Sequence, residues 1–133
     1  MLQTLIGREA FTQGVQHYLK KHDGQAATVE NFLEAIAERS RTDLEPFRAW
    51  YSQPGTPKVS VRGQYSENKQ EYELHFEQSY PQLSAAGERQ AVPITIQIGL
   101  LNKAGWSISS AETDIFLLEK PKDRLVLTEI SEQ

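Results

Sequence analysis

Asp43-Leu44-Glu45-Pro46-Phe47-Arg48-Ala49-Trp50-Tyr51-Ser52-Gln53-Pro54-Gly55-Thr56-Pro57-Lys58-Val59-Ser60-Val61 is the stretch in which the hydrophobic period of this chain changes. Leu44, Phe47, Trp50 and Tyr51 fall at helical spacing, so one apolar stripe is expected there. Asp43 stands where a cap is needed. Pro46 is harmless in a first turn, where its missing N–H would have no partner anyway. Pro54-Gly55-Thr56-Pro57 then stops helical structure. Beyond it Val59 and Val61 alternate with Lys58, Ser60 and Arg62, the period of a strand with one wet face.

Upstream of this switch the helical period persists. Met1 to Ile6 reads as the last turns of a helix, with Leu2, Leu5 and Ile6 on one face and Gly7 as its stop. A second helix carries Phe11, Val15, Tyr18 and Leu19 as a core-facing stripe. It closes with Lys20, Lys21 and His22, cations that suit the negative end of a helix, and Gly24 beyond them accepts a left-handed backbone. Thr28 is placed to cap a third helix with Phe32, Leu33 and Ile36 inward and Ser40 near its end.

Downstream the chain reads as short strands. Tyr72, Leu74 and Phe76 alternate with Glu71, Glu73, His75 and Glu77. Ser66-Glu67-Asn68-Lys69 is the expected hairpin turn before them. Ser79 to Val92 is a polar loop. Ile94, Ile96 and Ile98 form the clearest strand, followed by a turn at Asn102-Lys103-Ala104-Gly105. Ile115 to Leu118 and Leu125 to Leu127 are two more, joined through Pro121-Lys122-Asp123. The expected class is α+β: N-terminal helices over residues 1–56, then an antiparallel β-sandwich over residues 57–133.

Composition narrows the function classes. The 133 residues are 38% hydrophobic and 24% charged, as in folded domains. A net charge of -4, with no Lys/Arg run longer than Lys20-Lys21, argues against nucleic acid as a partner. Without cysteine there is neither a disulfide nor a thiolate metal site. No stretch approaches the ~20 apolar residues of a membrane span, and no basic-then-apolar leader opens the chain. Both ends read as cut, one inside a helical pattern and the other directly after a strand.

Several rare residues keep a family's spacing together: Met1 to Gly7, Phe11, Gly14, His22-Asp23-Gly24, Ala27-Thr28, Asp43-Leu44, Phe47-Arg48, Trp50-Tyr51-Ser52-Gln53 and Gly55-Thr56-Pro57, followed by Val59 and Val61. In these the chain resembles the bacterial aminopeptidase N family of gluzincin zinc peptidases. Beyond about residue 64 the likeness is mostly one of strand pattern. The resemblance implies that residues 1–56 are the last helices of a thermolysin-like catalytic domain, and that residues 57–133 are most of the small β-sandwich behind it. It implies zinc in the parent enzyme and a bacterial, cytoplasmic setting. In that family the H-E-x-x-H motif, the third zinc ligand, the substrate-amine motif and the catalytic Tyr lie upstream of the segment matching Met1.

The residues themselves supply no chemistry. A zinc-peptidase helix needs two His four apart on one face. His17 and His22 are five apart, about 140° around a helix. His22 and Asp23, being adjacent, do not face each other on a helix. His75 belongs to a wet strand face. Ser109-Ser110 lacks a nucleophile elbow, and no phosphate-cradling glycine motif occurs.

Trp50 and Tyr51 read as core packing rather than as a recognition surface. The expected catalytic, cofactor and metal residues are therefore none. His22, Asp23, Gly24, Asp43, Leu44, Phe47, Trp50, Gln53, Gly55 and Pro57 are expected as structural motif residues. The parent's remainder is the expected partner, and an apolar patch near Leu2, Leu5 and Phe11 is expected to drive self-association. A freestanding α+β module that binds a peptide or protein is the alternative.

Overall fold

A computed structural model describes residues 1–80, 89–101, 105 and 114–128. The chain divides into two compact units, Met1–Pro54 and Gly55–Gln133.

The first unit is helical. Helix α1 spans Leu2–Ile6 and stops at Gly7, whose φ of 84° favours a residue without Cβ. Helix α2 covers Arg8–Lys21 and α3 covers Val29–Ser40. Thr28 caps α3 as its spacing predicts. Its hydroxyl accepts the Asn31 N–H while the Asn31 side chain accepts the Thr28 N–H, so two orphan donors are satisfied reciprocally. Tyr18 meets Phe32 edge-on at 5.3 Å, and Gly14 lies against Ile36, so α2 and α3 run antiparallel. Leu33, Ala35 and Ile36 are the buried side of this hairpin. A 3-10 turn over Glu45–Arg48 then leads into the short helix α4, Ala49–Ser52.

Two sequence expectations fail in this unit. Leu19, expected inward, is 61% exposed. The line of α2 that faces α3 centres on Gly14, and a residue five further on lies about 140° away from it. Tyr51, expected in a core, is 59% exposed, whereas Leu44 and Phe47 of the same stripe are buried. The backbone around them is mostly 3-10 with a single helical turn, which breaks the 3.6-residue stripe on which that expectation rested.

The second unit is built of antiparallel strands. Strands β1 (Lys58–Ser66) and β2 (Glu71–Ser79) form a hairpin, with the Lys69 N–H bonded to the Ser66 carbonyl at 3.3 Å in the turn. Strand β3 covers Ile94–Ile98, β4 covers Asp114–Leu118, and β5 covers Lys122–Leu127, starting earlier than its apolar residues suggest. The described strands make two sheets, β1-β2-β5 and β3-β4. Phe76 of β2 stacks on Phe116 of β4 with ring centroids 4.7 Å apart, which brings the two sheets together. Phe76, Val92, Leu118 and Leu127 are the buried apolar residues around this contact.

Val61 pairs directly with Phe76, yet it is 51% exposed. It lies on a strand at the edge of the three-stranded sheet, and only two described strands cover that sheet. The expected turn at residues 102–105 lies largely outside the described residues, and so does Ser109-Ser110.

Candidate functional site

The motif residues of the first unit occupy ends and turns. His22 closes α2 with its N–H on the Tyr18 carbonyl at 3.0 Å, and its ring sits 5.4 Å from that of Tyr18. Asp23 is exposed. Gly24 has φ 67°, and the Gln25 N–H returns to the His22 carbonyl at 3.1 Å. These three residues therefore turn the chain from α2 toward α3. Asp43 accepts the Glu45 N–H on Oδ1 at 2.9 Å, an Asx turn that sets up the 3-10 segment. Leu44 and Phe47 are buried at 2% and 4% exposure, and Trp50 is half-buried. Gln53 ends α4 in extended backbone.

In the second unit Gly55 has φ 98°, and a Cβ placed on it would lie 2.7 Å from Nη1 of Arg89. The Arg89 guanidinium also covers the Tyr80 ring at 5.2 Å. Pro57 is half-buried immediately before β1. Within each unit these residues thus serve as caps, turns and packing groups.

Of the histidines, His17 is committed to other groups at both ring nitrogens. His17 Nε2 lies 2.7 Å from Glu38 Oε2, and its Nδ1 lies 3.0 Å from Arg39 Nη2. A guanidinium can only donate, so Nδ1 accepts and Nε2 carries the proton toward Glu38. Lys21 Nζ reaches the other Glu38 oxygen at 3.1 Å. This network ties α2 to α3 and leaves His17 no ring nitrogen for a metal or for general base chemistry. The His17 bond, and then Lys21, holds the Glu38 carboxyl below the usual carboxylate range. His75 is exposed, with Nε2 3.4 Å from Glu73. Among the described residues no three His, Cys, Asp or Glu side chains converge as a metal cage. The described side chains therefore do not fit a zinc ion.

The structural roles of three residues escaped the sequence reading. Gln78 follows Tyr72, Leu74 and Phe76 on the inward face of β2 and is 7% exposed. Its amide nitrogen donates to the Val92 and Lys120 carbonyls, each at 3.1 Å, and its oxygen accepts the Val92 N–H at 3.1 Å. A polar residue at an inward period-two position was the available signal. Gly14, inside a helix, was a second. Arg89 carried no such signal.

Comparison with known proteins follows the same division. Residues 55–133 match the family model described as a domain of unknown function (DUF3458) with an Ig-like fold, and residues 1–51 match the peptidase family M1 domain. The chain is 40% identical over 105 residues to aminopeptidase N of Escherichia coli (strain K12), and 37% identical over 105 residues to aminopeptidase N of Haemophilus influenzae. Each alignment covers 79% of this chain, which spans only 12% of the length of either relative. A crystal structure of Legionella pneumophila aminopeptidase A, in complex with aspartic acid, is similar at a TM-score of 0.81 and 26% identity, over 98% of this chain and 14% of that one. The chain belongs to the DUF3458 family of Ig-like domains, joined at its N-terminal side to a segment of peptidase family M1.

Proposed function

We propose that this chain is a noncatalytic part of a zinc-dependent aminopeptidase, with residues 1–56 closing the catalytic domain and residues 57–133 forming the β-sandwich behind it. On this reading it bridges the catalytic domain to a helical domain further along the parent, which removes N-terminal residues from peptides in the bacterial cytoplasm. The parent's zinc is held elsewhere. The observation that carries the reading is the pairing of a peptidase M1 match over residues 1–51 with described side chains that form no metal cage.

His22, Asp23, Gly24, Asp43, Leu44, Phe47, Trp50, Gln53, Gly55 and Pro57 are then scaffold residues that cap, turn and fill. Met1 and Leu19 are 49% and 61% exposed, and Leu2, Leu5 and Phe11 are half-buried. The parent's remainder would cover these apolar groups, and in the separate chain they favour self-association.

Hydrolysis of alanyl and leucyl fluorogenic amides by the purified chain, with added zinc and with chelator, tests the reading. Silence in both conditions is expected. Zinc-dependent turnover would overturn it, because that requires a metal site the described side chains do not form.

A further inference from the structure

The His22-Asp23-Gly24 turn between α2 and α3 holds a pair of reactive groups that the scaffold role leaves unused. Of the aspartates in the chain, Asp23 alone precedes a glycine; Leu44, Ile115 and Arg124 follow the others. Asp43 accepts the Glu45 N–H, and Asp123 accepts the Arg124 N–H. Among the described residues the Asp23 carboxylate has neither a hydrogen bond nor an ion pair, and the Gly24 N–H has no acceptor.

The surroundings leave both groups open. Residues 23–28 are all exposed. Gly24, at φ 67°, has empty space where a Cβ would stand, so no side chain shields its nitrogen. One backbone bond, from the Gln25 N–H to the His22 carbonyl at 3.1 Å, closes the turn. An exposed turn held by a single bond opens at small cost, which lets Asp23 Cγ and the Gly24 nitrogen meet.

We infer that Asp23-Gly24 is a site of spontaneous backbone modification, at which aspartate converts to isoaspartate through a succinimide. The Gly24 nitrogen attacks Cγ of the protonated Asp23 carboxyl. The N–Cγ bond forms, the Cγ–OH bond breaks, and the amide proton leaves with the hydroxyl as water. Solvent water then opens the ring. Addition at Cγ restores aspartate. Addition at the Asp23 main-chain carbonyl breaks its bond to the Gly24 nitrogen and leaves the peptide bond on Cγ. Nothing is oxidised or reduced, and water is the only co-reactant. The product keeps its negative charge but carries an added methylene in the main chain, which lengthens the turn joining α2 to α3.

The test ages the 133-residue chain at physiological temperature beside a free peptide of residues 22–27, until half of the peptide has converted. Tryptic cleavage after Lys21 and Arg39 then isolates residues 22–39 for mass analysis. A second form of this fragment with unchanged mass is expected, and its backbone fragmentation should place the isomer at residue 23. A minor form lighter by one water should accompany it. Fragments bearing Asp43 and Asp123 should stay single. Gly24→Ala should slow the conversion several-fold, because a Cβ shields the nitrogen. Asp23→Glu should abolish it, because the longer side chain would have to close a six-membered ring. Asp23→Glu keeps the charge at an exposed position, so one variant stays folded even if alanine at φ 67° disturbs the turn. A fragment 22–39 that stays single while the free peptide converts would overturn the inference. So would equal conversion at Asp43 or Asp123, an unchanged rate in Gly24→Ala, or conversion that persists in Asp23→Glu. None of these outcomes depends on whether the chain hydrolyses anything.

Discussion

Gly14 of α2 lies so close to Ile36 of α3 that a Cβ on it would stand 2.8 Å from Ile36 Cδ1 and 2.9 Å from Ile36 Cα. The second distance is the decisive one, because backbone cannot rotate out of the way as a methyl can. Ile36 itself is fully buried. Two effects oppose each other in Gly14→Ala. Helix propensity favours alanine by about 1 kcal/mol, and overpacking against a buried backbone costs about 1 to 3 kcal/mol. The clash should win, and the variant should unfold at a lower urea concentration than the parent chain. A stabilised Gly14→Ala would mean that the two helices can separate without loss.

Gln78 sets the second prediction. Its amide satisfies both the N–H and the C=O of buried Val92, and its own N–H bonds to the Pro121 carbonyl at 2.9 Å. Replacing it by leucine keeps an inward apolar pattern that looks better in sequence, yet it strands the Val92 groups without water. Each buried group left unpaired costs about 1 to 3 kcal/mol. Gln78→Leu should therefore destabilise by at least about 2 kcal/mol in urea titration, whereas Gln97→Ala on the exposed side of β3 should change little.

The same residue shows where the sequence is legible. Period-two alternation located β1, β2 and β3, because a sheet with one wet face repeats every second residue. Capping chemistry located the ends of α2 and α3, since the orphan N–H and C=O groups there must be met by particular residues. Leu19, Tyr51 and Val61 escaped because periodicity reports which face is apolar, not how wide a neighbour covers it. Gln78, Gly14 and Arg89 escaped for a related reason. Their roles depend on residues 14, 22 and 34 positions away, a separation that no local pattern carries. For the candidate site, the sequence named the cap and turn residues but could not see that His17 is bonded at both nitrogens across to α3.

That His17–Glu38–Lys21 network makes a pH prediction. The Glu38 carboxyl is held below its ordinary value, first by the His17 hydrogen bond and then by Lys21. A depressed carboxyl stabilises the fold above its unfolded value and loses that contribution as pH falls through its folded value. The urea midpoint difference between the parent chain and Glu38→Gln should thus be steady above about pH 5, shrink below about pH 4, and vanish in stronger acid. The residue is exposed, so added salt should reduce the difference at neutral pH. A difference that grew on acidification would contradict this assignment.

Gly55 offers a prediction in which two causes can be separated. Its φ of 98° is strained for any residue with a Cβ, and that Cβ would also meet Arg89 Nη1 at 2.7 Å. Backbone strain of this kind costs about 1 to 3 kcal/mol. The steric part rests on the end of a side chain, which can be cut away. Nη1 is buried with no hydrogen-bond partner among the described residues, so Arg89→Ala removes an orphan donor along with the contact to Tyr80, and should itself change stability modestly. A double-mutant cycle follows. If the guanidinium is what demands glycine, Gly55→Ala should be nearly neutral in an Arg89→Ala background. If the backbone demands it, the penalty should persist in full. Since φ lies well inside the left-handed half of backbone space and a side-chain tip can move aside, most of the penalty should persist, with a coupling no larger than about 1 kcal/mol. A coupling that abolished the penalty would assign Gly55 to Arg89 instead.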